Sequence, residues 1–450
     1  MRAFNVTQEN NPLFVDLYEL TMAAAYWSNH LKGTATFELY FRRLPPNRGF
    51  ILAAGLEQAL QYLCNLQFTE EQVGWLQNQE AFRNVDSGFF DYLRNFHFSC
   101  DVWAVPEGTP IFPLEPLIQI RGPLIEAQII ETYLLSMLNV QSMVATKAAR
   151  MVLAAQGRAI VDFGSRRAHG PQAGLLAARA AYVGGCIGTS NVLASKLGDI
   201  PMYGTAAHSF TMAFASELEA FHAYNRTFPE NTTLLIDTYD VLRAARKVKD
   251  IPHVKAVRID SGDLLDLSRK VREILDEDHL QNVKIMVSGD LNEYKIAELI
   301  QQNAPIDSFG VGTELVTSYD APAINLVYKM VTATVGDHEI ATVKTSTGKP
   351  SYRGKKQVFR YKEQGRFTRD EVCSFEEQPQ PGAEPLLKPY IKAGECIEQM
   401  PSLAEIRSHA AMQLNSLDEP VRRITGFQAY PVSLSTKLEQ ELEQARKRTL

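Results

Sequence analysis

Glycines, small hydroxyl residues and acidic residues occur together in two short segments whose composition suits phosphate binding. The segments 288–290 (Ser-Gly-Asp) and 310–313 (Gly-Val-Gly-Thr) would leave backbone N–H groups open to an anion, especially where a helix starts next. Each segment alone also suits an ordinary tight turn between a strand and a helix. Two such turns on adjacent late strands match the usual phosphate site of barrel enzymes.

A third segment combines one arginine with two aspartates. Arg258 could bind a phosphate or a carboxylate, and Asp260 and Asp263 could support Mg²⁺, which usually takes one or two carboxylates together with substrate phosphates. An ion pair that merely holds the turn would use the same residue types. The mixture indicates a substrate that carries pyrophosphate and a metal ion.

His208 follows a Gly-Thr-Ala-Ala turn, and Ser209 is predicted to cap the helix that begins there, which would direct the imidazole toward the same site. A single histidine can equally be a packed or surface residue.

Tyr18 lies in a helical pattern over residues 16–22. Its ring either packs in a core or interface, or covers another site.

Alternating apolar runs and amphipathic stretches between residues 158 and 311 are typical of βα units on a parallel sheet. Seven strands are predicted, at residues 159–163, 186–188, 201–203, 233–237, 255–259, 284–287 and 308–311. Helices are predicted between them, at residues 174–183, 209–224, 239–247, 264–275 and 292–302. The pattern indicates a closed or nearly closed barrel, whose turns at the carboxyl ends of the strands would share one rim.

The flanking sequence predicts a different organisation. Strand-like segments at 36–41, 102–105 and 117–120, a helix near 55–66 and two helices within 124–155 indicate an α+β part before the barrel. Strands return at 326–331 and 357–361, then a surface loop at 376–384 and a charged terminal helix from Thr436. The predicted domains are an N-terminal part at 1–125, the barrel at 126–325 and a completing C-terminal part at 326–450.

Composition excludes several classes of protein. The 450 residues are 45% hydrophobic and 22% charged, as in a globular protein of two or three domains or a barrel with an added module. A formal net charge of −6 provides no global positive field for nucleic acid or anionic membranes. The sequence has no apolar stretch long enough to span a bilayer, and its polar start predicts a cytoplasmic protein without a secretory signal.

The five cysteines are widely spaced and form no C-x-x-C pair. They are Cys64, Cys100, Cys186, Cys373 and Cys396. An odd number at these spacings predicts neither a disulfide framework nor a zinc cluster, and suits a reducing compartment.

Six segments, in this order, resemble the nicotinate phosphoribosyltransferase family. They are residues 16–22, 162–167, 204–209, 258–263, 288–290 and 310–313. The resemblance implies an irregular seven-stranded α/β barrel with an α+β domain built from both ends of the chain. It also implies a homodimer whose active sites are shared across the interface.

The implied reaction joins nicotinate to 5-phosphoribosyl 1-pyrophosphate, giving nicotinate mononucleotide and pyrophosphate, the first step of NAD salvage from nicotinic acid. The resemblance implies that the reaction is coupled to ATP hydrolysis through a phosphohistidine, which would make the enzyme an ATP-dependent ligase, and Mg²⁺ is the expected cofactor. By motif, His208 corresponds to the phosphorylated residue.

The resemblance also implies roles for individual residues. Phe163 would stack on one face of the pyridine ring and Tyr18 of the partner subunit on the other, while Arg166 would bind the nicotinate carboxylate. Arg258 would serve ligand anions, and Asp237 and Asp260 would support the ribose, Mg²⁺ or the His208 region. The remaining matches are substrate contacts, with those after Ser288 cradling the ribose 5-phosphate: Thr205, Ser288, Gly289, Asp290, Gly310, Gly312 and Thr313. Asp16 matches without an assigned role.

Ser190 helps to separate close relatives. The related nicotinamide-using enzyme carries an aspartate in the corresponding Gly-Thr-Asp turn, where a carboxylate would repel nicotinate and a serine can donate to it. Quinolinate phosphoribosyltransferase offers no counterpart of the turn that contains His208. Two other classes stay open, a Schiff-base aldolase and a non-catalytic ligand-binding protein. The aldolase needs a lysine at a strand's carboxyl end, whereas Lys284 is predicted to start its strand.

Overall fold

The computed structural model describes residues 4–336, 338–340 and 354–449, and these form two compact units. The first unit comprises the described residues of 1–143, 323–402 and 408–450, and the second comprises residues 144–322 and 403–407. No helix among the described residues combines the length and the apolar character that a bilayer crossing requires. The cytoplasmic location stays a prediction.

The described residues contain seventeen α-helices, numbered in chain order. They are α1 (Leu17–Ser28), α2 (Leu56–Cys64), α3 (Glu70–Gln77), α4 (Ser87–Arg94), α5 (Leu124–Gln128), α6 (Glu131–Ala154), α7 (Pro171–Val183), α8 (Val192–Gly198), α9 (His208–Met212), α10 (Glu217–Thr227), α11 (Val241–Lys247), α12 (Leu264–Glu277), α13 (Glu293–Gln301), α14 (Thr313–Val316), α15 (Leu403–Ser416), α16 (Glu419–Arg422) and α17 (Thr436–Thr449).

The same residues form nineteen β-strands. They are β1 (Gly33–Phe41), β2 (Ile51–Leu52), β3 (Asp101–Ala104), β4 (Pro110–Ile111), β5 (Ile118–Pro123), β6 (Ala159–Asp162), β7 (Gly188–Thr189), β8 (Thr233–Leu235), β9 (Ala256–Ile259), β10 (Lys284–Val287), β11 (Ser308–Val311), β12 (Leu326–Val335), β13 (His338–Ile340), β14 (Lys356–Glu363), β15 (Arg366–Ser374), β16 (Ala383–Pro385), β17 (Lys388–Lys392), β18 (Glu395–Cys396) and β19 (Val432–Leu434).

Two main sheets organise the first unit. The larger combines strands from early and late parts of the chain, and the smaller contains late strands alone. The larger is antiparallel with the order β13-β12-β1-β5-β3-β17-β18, and the smaller has the order β16-β14-β15-β19. Phe37 of β1 stacks on Tyr328 of β12 with ring centroids 4.8 Å apart, so this strand pair carries core packing as well as hydrogen bonds. The described flanks contain both helices and strands, and the terminal helix is confirmed as α17. The α+β domain and the predicted domain bounds stay predictions.

A disulfide joins two elements of the first unit, and this corrects the prediction from cysteine spacing. Cys64 at the end of α2 is bonded to Cys396 in β18, which lies 332 residues away in the sequence. Spacing rules detect clustered cysteines, whereas this pair is brought together only by the packing of α2 near β18. The other three cysteines are buried free thiols.

The second unit is built on a six-stranded parallel sheet with the order β7-β6-β11-β10-β9-β8. The predicted seventh strand at 201–203 is reduced to one parallel bridge between Met202 and Thr189. The exact seven-stranded barrel, closed or nearly closed, is therefore not confirmed for the described residues, whose six-stranded parallel sheet remains open between Met202 and β8. Pro201 contributes to this outcome, since it has no N–H to donate to a neighbouring strand.

The predicted helices of the second unit are confirmed with one exception. The helix predicted at 209–224 is two helices, α9 and α10, because Ser216 caps a new start by accepting from the backbone N–H of Glu219. The predicted cap at Ser209 is also wrong, since Ala207 is the N-cap of α9 and His208 is its first residue.

Candidate active site

One cavity of about 330 Å³ opens where the strands of the parallel sheet end. Its described lining residues are Phe163, Arg166, Arg167, Ser190, Gly204, Thr205, Arg258, Asp260, Ser288, Gly289, Asp290, Gly310, Gly312 and Thr313. Five of these residues each directly follow the last residue of a strand: Phe163, Ser190, Asp260, Ser288 and Gly312. Parallel pairing brings the ends of β6, β7, β9, β10 and β11 to one edge, so the rim predicted from the sequence is confirmed as a single cavity.

The turn after β10 requires glycine for both conformation and space. Gly289 has a φ of +99°, and a Cβ at this position would lie 2.2 Å from the backbone carbonyl oxygen of Asp260. Asp290 also has a positive φ, of +44°. The glycine therefore lets the turn after β10 approach the turn after β9 more closely than any side chain would allow.

Gly310 leaves space for the ring of Phe163 in the cavity. A Cβ at Gly310 would lie 2.6 Å from ring atoms of Phe163, so the missing side chain provides the space that the ring occupies. Gly312 and Thr313 follow at the end of β11 and also line the cavity. The phosphate-type turns and the aromatic face predicted from separate segments thus lie in one cavity.

Asp162, the last residue of β6, fixes the two turns that carry Phe163 and Ser190. Its buried carboxylate accepts from the backbone N–H of Gly164 (2.8 Å) and from Thr189 Oγ1 (2.7 Å). Ser190 in turn donates its N–H to the Asp162 carbonyl oxygen at 2.9 Å. Burial raises the pKa of Asp162, against the lowering effect of the Thr189 and Gly164 hydrogen bonds. The sequence motif contained Asp162 without indicating this positioning role.

Arg258 joins three segments around the cavity. Its guanidinium donates to Ser288 Oγ (3.0 Å) and to Thr205 Oγ1, and it pairs with Asp260 Oδ1 at 3.1 Å. The guanidinium carbon also lies 5.8 Å from the centroid of the Phe163 ring. The Arg/Asp ion pair considered from the sequence is therefore present, and it lies inside the cavity together with the other candidate residues.

The Asp260 carboxyl is held in its charged form. Burial alone would raise its pKa, but a hydrogen bond from Ser288 Oγ and the positive charge of Arg258 together lower it, with a further contribution from His208. Asp260 is consequently a carboxylate at neutral pH, and it supplies a fixed negative charge between Arg258 and His208.

Asp237 lies beside Asp260, one residue beyond Ile236, which follows β8. Its Oδ2 accepts from Ser261 Oγ (2.6 Å) and from the backbone N–H of Asp260 (3.2 Å), whereas Oδ1 is buried without a hydrogen-bond partner among the described residues. An orphaned carboxylate oxygen near a second carboxylate fits the donor set that Mg²⁺ prefers. Asp263 is not among the described lining residues, and its Oδ1 caps α12 by accepting from the N–H groups of Leu265 and Asp266. Its predicted support of Mg²⁺ stays a prediction.

His208 lies next to the cavity lining rather than within it. Its Nδ1 is 3.2 Å from Thr238 Oγ1, and its Nε2 is 4.0 Å from Asp260 Oδ2. The imidazole is partly exposed, with 39% of the side chain accessible to solvent. His208 is therefore close to the site, as predicted, and Asp260 is the lining residue that it faces. The predicted cap at Ser209 does not form.

Two adjacent arginines present positive charge to the cavity. Arg166 and Arg167 lie on a short 3₁₀ turn (Ser165–Arg167), and the turn is fastened to the next one by Asn191, whose side-chain amide donates to Ser165 Oγ at 2.9 Å. No carboxylate among the described residues pairs with either guanidinium. Sequence reasoning selected Arg166 and missed Arg167, although the Arg-Arg pair itself was the available signal.

Tyr18 does not belong to the unit that holds the cavity. It is the second residue of α1 in the first unit, and 44% of it is exposed. Burial of the remainder, together with the neighbouring Glu131, raises the pKa of its hydroxyl, so the side chain is a neutral phenol at physiological pH. The predicted role of Tyr18, which is to cover the pyridine ring from a partner subunit, stays a proposal.

Lysine chemistry at the cavity is disfavoured by the position of Lys284. This residue is the first of β10, at the opposite end of the strand, and it pairs with Asp307 at 2.9 Å. No lysine is among the described residues that line the cavity. A Schiff-base mechanism therefore has no amine in place.

Comparison with known proteins relates almost the whole chain to one family. Residues 13–139, 158–376 and 381–442 match, respectively, the N-terminal domain, the family model and the C-terminal domain of nicotinate phosphoribosyltransferase. The chain is 44% identical to nicotinate phosphoribosyltransferase pncB2 of Mycobacterium tuberculosis, over 98% of this chain and 95% of that protein. It is 34% identical to the nicotinate phosphoribosyltransferase of Bacillus subtilis, over 97% and 95%.

A solved structure shows the same similarity in three dimensions. The crystal structure of human nicotinic acid phosphoribosyltransferase superposes with a TM-score of 0.82 at 30% identity, covering 95% of this chain and 99% of that one. A similarity of this extent includes the sheet whose strand ends form the cavity.

The arrangement of cations predicts that the cavity binds pyrophosphate through Arg258. Arg258→Met should weaken binding of inorganic pyrophosphate with Mg²⁺ by about tenfold or more, since a charge-assisted hydrogen bond contributes about 1.5–3 kcal/mol. Isothermal titration calorimetry would measure the change. Arg158→Met is the matched control, because Arg158 lies at the opposite end of the sheet and donates to the carbonyl oxygen of Ile306. Equal affinity in the wild type and Arg258→Met would contradict the assignment.

Proposed function

The chain belongs to the nicotinate phosphoribosyltransferase family, and from that premise we propose that it transfers the phosphoribosyl group of 5-phosphoribosyl 1-pyrophosphate to nicotinate. The products would be nicotinate mononucleotide and pyrophosphate, so the reaction would recover nicotinic acid for NAD synthesis. The observation that carries the proposal is the single cavity that combines phosphate-type turns, an aromatic face and unpaired arginines.

The two substrates would occupy opposite sides of this cavity. The ribose 5-phosphate would lie against the backbone of Gly289, Gly312 and Thr313, where side chains do not obstruct an anion. Nicotinate would stack on Phe163, with its carboxylate toward Arg166 or Arg167 and within reach of the Ser190 hydroxyl. This placement leaves the Arg258 region for the pyrophosphate group, between the two.

Catalysis would depend mainly on positioning and charge. The nicotinate nitrogen attacks the anomeric carbon as the bond to pyrophosphate breaks, and the ribosyl group acquires oxocarbenium character. Arg258 would stabilise the departing pyrophosphate from a fixed position, because three hydrogen-bonded partners already hold its guanidinium. Mg²⁺, held by Asp237 and Asp260, would neutralise pyrophosphate charge when bound.

His208 would couple the reaction to ATP. For its Nε2 to attack the γ-phosphorus, the lone pair must be on Nε2, so Nδ1 must carry the proton and donate to Thr238 Oγ1. The new bond joins Nε2 to phosphorus as ADP leaves. Hydrolysis of the resulting phosphohistidine would return phosphate. A phosphate on Nε2 would place about −1.5 to −2 charges near Asp260 and thereby change the electrostatics of the pyrophosphate side.

The exposed apolar side chains support a homodimer with a shared site. On α8, which begins two residues after Ser190, Val192 is 70% exposed and Leu197 is 67% exposed. Tyr18 is also exposed in the first unit. Large apolar side chains next to a site are typical of an interface, and a second copy could bring its Tyr18 to the open face of the nicotinate ring.

The proposed activity is tested by incubating the purified chain with labelled nicotinate, 5-phosphoribosyl 1-pyrophosphate, ATP and Mg²⁺. Nicotinate mononucleotide, pyrophosphate and ADP should form together. Binding of both substrates without any mononucleotide would favour the non-catalytic alternative and contradict the proposal.

His208→Ala should abolish ATP hydrolysis and leave slow transfer that does not depend on ATP, because the nucleophile is lost while the transfer residues remain. Measuring ADP and mononucleotide in the same reaction separates the two effects. His222→Ala, on α10 and outside the cavity lining, is the control. Full ATP coupling in His208→Ala would refute the phosphohistidine assignment.

Ser190→Asp should weaken the use of nicotinate much more than the use of nicotinamide, by about tenfold or more in kcat/KM, because a carboxylate repels the nicotinate carboxylate. Ser190→Asn is the matched control, since an asparagine side chain has nearly the same size as an aspartate side chain but carries no charge. An equal loss on both substrates would show that Ser190 does not read the carboxylate.

A further inference from the structure

Lys147 lies in the part of α6 that belongs to the second unit, and its ammonium group is buried among three carboxylates. Nζ is 2.6 Å from Glu293 Oε2, 2.8 Å from Asp320 Oδ1 and 3.3 Å from Glu314 Oε2. The side chains of Lys147 and Glu293 are fully inaccessible to solvent. A buried cation of this kind is stable only with such partners.

Two of the three carboxylates lie just after the phosphate-type turns in the sequence. Glu293 is the first residue of α13, three residues beyond the turn that contains Gly289 and Asp290. Glu314 is the second residue of α14 and directly follows Thr313. One ammonium group therefore connects the helices that follow both phosphate-type turns.

Strand pairing alone leaves these two turns without a direct connection. The register of β10 with β11 comprises Met286 with Ser308 and Val287 with Phe309, and it ends before either turn begins. Beyond the ladder, the Lys147 cluster joins α13 to α14 through ion pairs to Glu293 and Glu314. Arg150 strengthens the attachment of this cluster to α13, because the Nε of Arg150 binds the other carboxylate oxygen of Glu293 at 2.9 Å.

We propose that Lys147 is a positioning residue that sets the separation of the two turns and thereby preorganises the site for the ribose 5-phosphate. This inference rests on the proposed function for the identity of the phosphate. Lys147 does not line the cavity, and it acts through Glu293 and Glu314. The turns that carry Phe163 and Ser190 follow β6 and β7. The first of them packs against α14 where Gly164 meets Val316, whereas the ion pairs of Lys147 are made to Glu293, Glu314 and Asp320.

The test compares Lys147→Met with the wild type in two measurements. The KM for 5-phosphoribosyl 1-pyrophosphate should rise about tenfold or more, while the KM for nicotinate at saturating donor changes by about threefold or less. Calorimetric titration with ribose 5-phosphate should show a similar loss of affinity without any nicotinate chemistry. A residue that only stabilised the fold would lower the melting temperature without this selective effect.

Two further variants complete the design. Lys270→Met removes an exposed lysine paired with Asp266 at i and i+4, and it should leave both measurements unchanged. Glu314→Gln removes one carboxylate, which is 21% exposed, and it decides the question if Lys147→Met does not fold. In that variant a loss of ribose 5-phosphate affinity of about threefold or more supports the proposal, and wild-type affinity overturns it.

The outcomes separate this inference from the proposed function. A wild-type chain that binds ribose 5-phosphate but makes no nicotinate mononucleotide would refute the function, and the binding measurement on Lys147→Met would still decide the role of Lys147. Equal affinity in the folded Lys147→Met chain and the wild type would overturn the inference. So would a wild-type chain that does not bind ribose 5-phosphate, because there would then be no phosphate site to preorganise.

Discussion

The guanidinium of Arg258 is the interaction on which the cavity depends. It donates to Ser288 and Thr205 and pairs with Asp260, so one side chain connects the turn after β10, the segment before α9 and the turn after β9. Only 11% of this side chain is exposed, which makes each of these contacts costly to lose. The planar, permanently charged guanidinium can hold three partners and still present a positive field to the cavity, which a lysine could not do equally well.

The electrostatics of the site are local. The whole chain carries a formal charge of −6, yet the cavity lining contains Arg166, Arg167 and Arg258 against Asp260 and Asp290. Most of the negative charge is elsewhere on the chain, so an anionic substrate meets a positive site on an acidic protein. The global balance argues against nucleic acid as a class of ligand, but it gives no information about this cavity.

The sequence predicted the parts of the site that depend on strand ends. Phe163, Ser190, Asp260, Ser288 and Gly312 each follow a strand directly, and a parallel sheet must gather such positions at one edge. Strand count was harder to predict, because the segment at Pro201 has the composition of a strand but makes only one bridge.

The contacts that sequence reasoning missed are those between distant positions. Cys64 and Cys396 are 332 residues apart, and Lys147 meets Glu293, Glu314 and Asp320 only after α6 has packed beside the sheet. Asp263 shows a local competition instead, since its carboxylate caps α12 although its motif had suggested support for a metal. Local competition and long-range packing are both invisible to spacing rules.

The ends of five parallel strands form one cavity, and we propose that it binds a sugar phosphate and an aromatic acid together. A crystal structure of the chain with nicotinate mononucleotide would show whether both groups lie there. The phosphate should accept from the backbone N–H groups of Gly312 and Thr313, while the pyridine ring should lie on Phe163 with its carboxylate toward Arg166 or Arg167. A nucleotide bound outside this cavity, or bound with its phosphate on the Arg166–Arg167 side and its ring away from Phe163, would overturn this assignment.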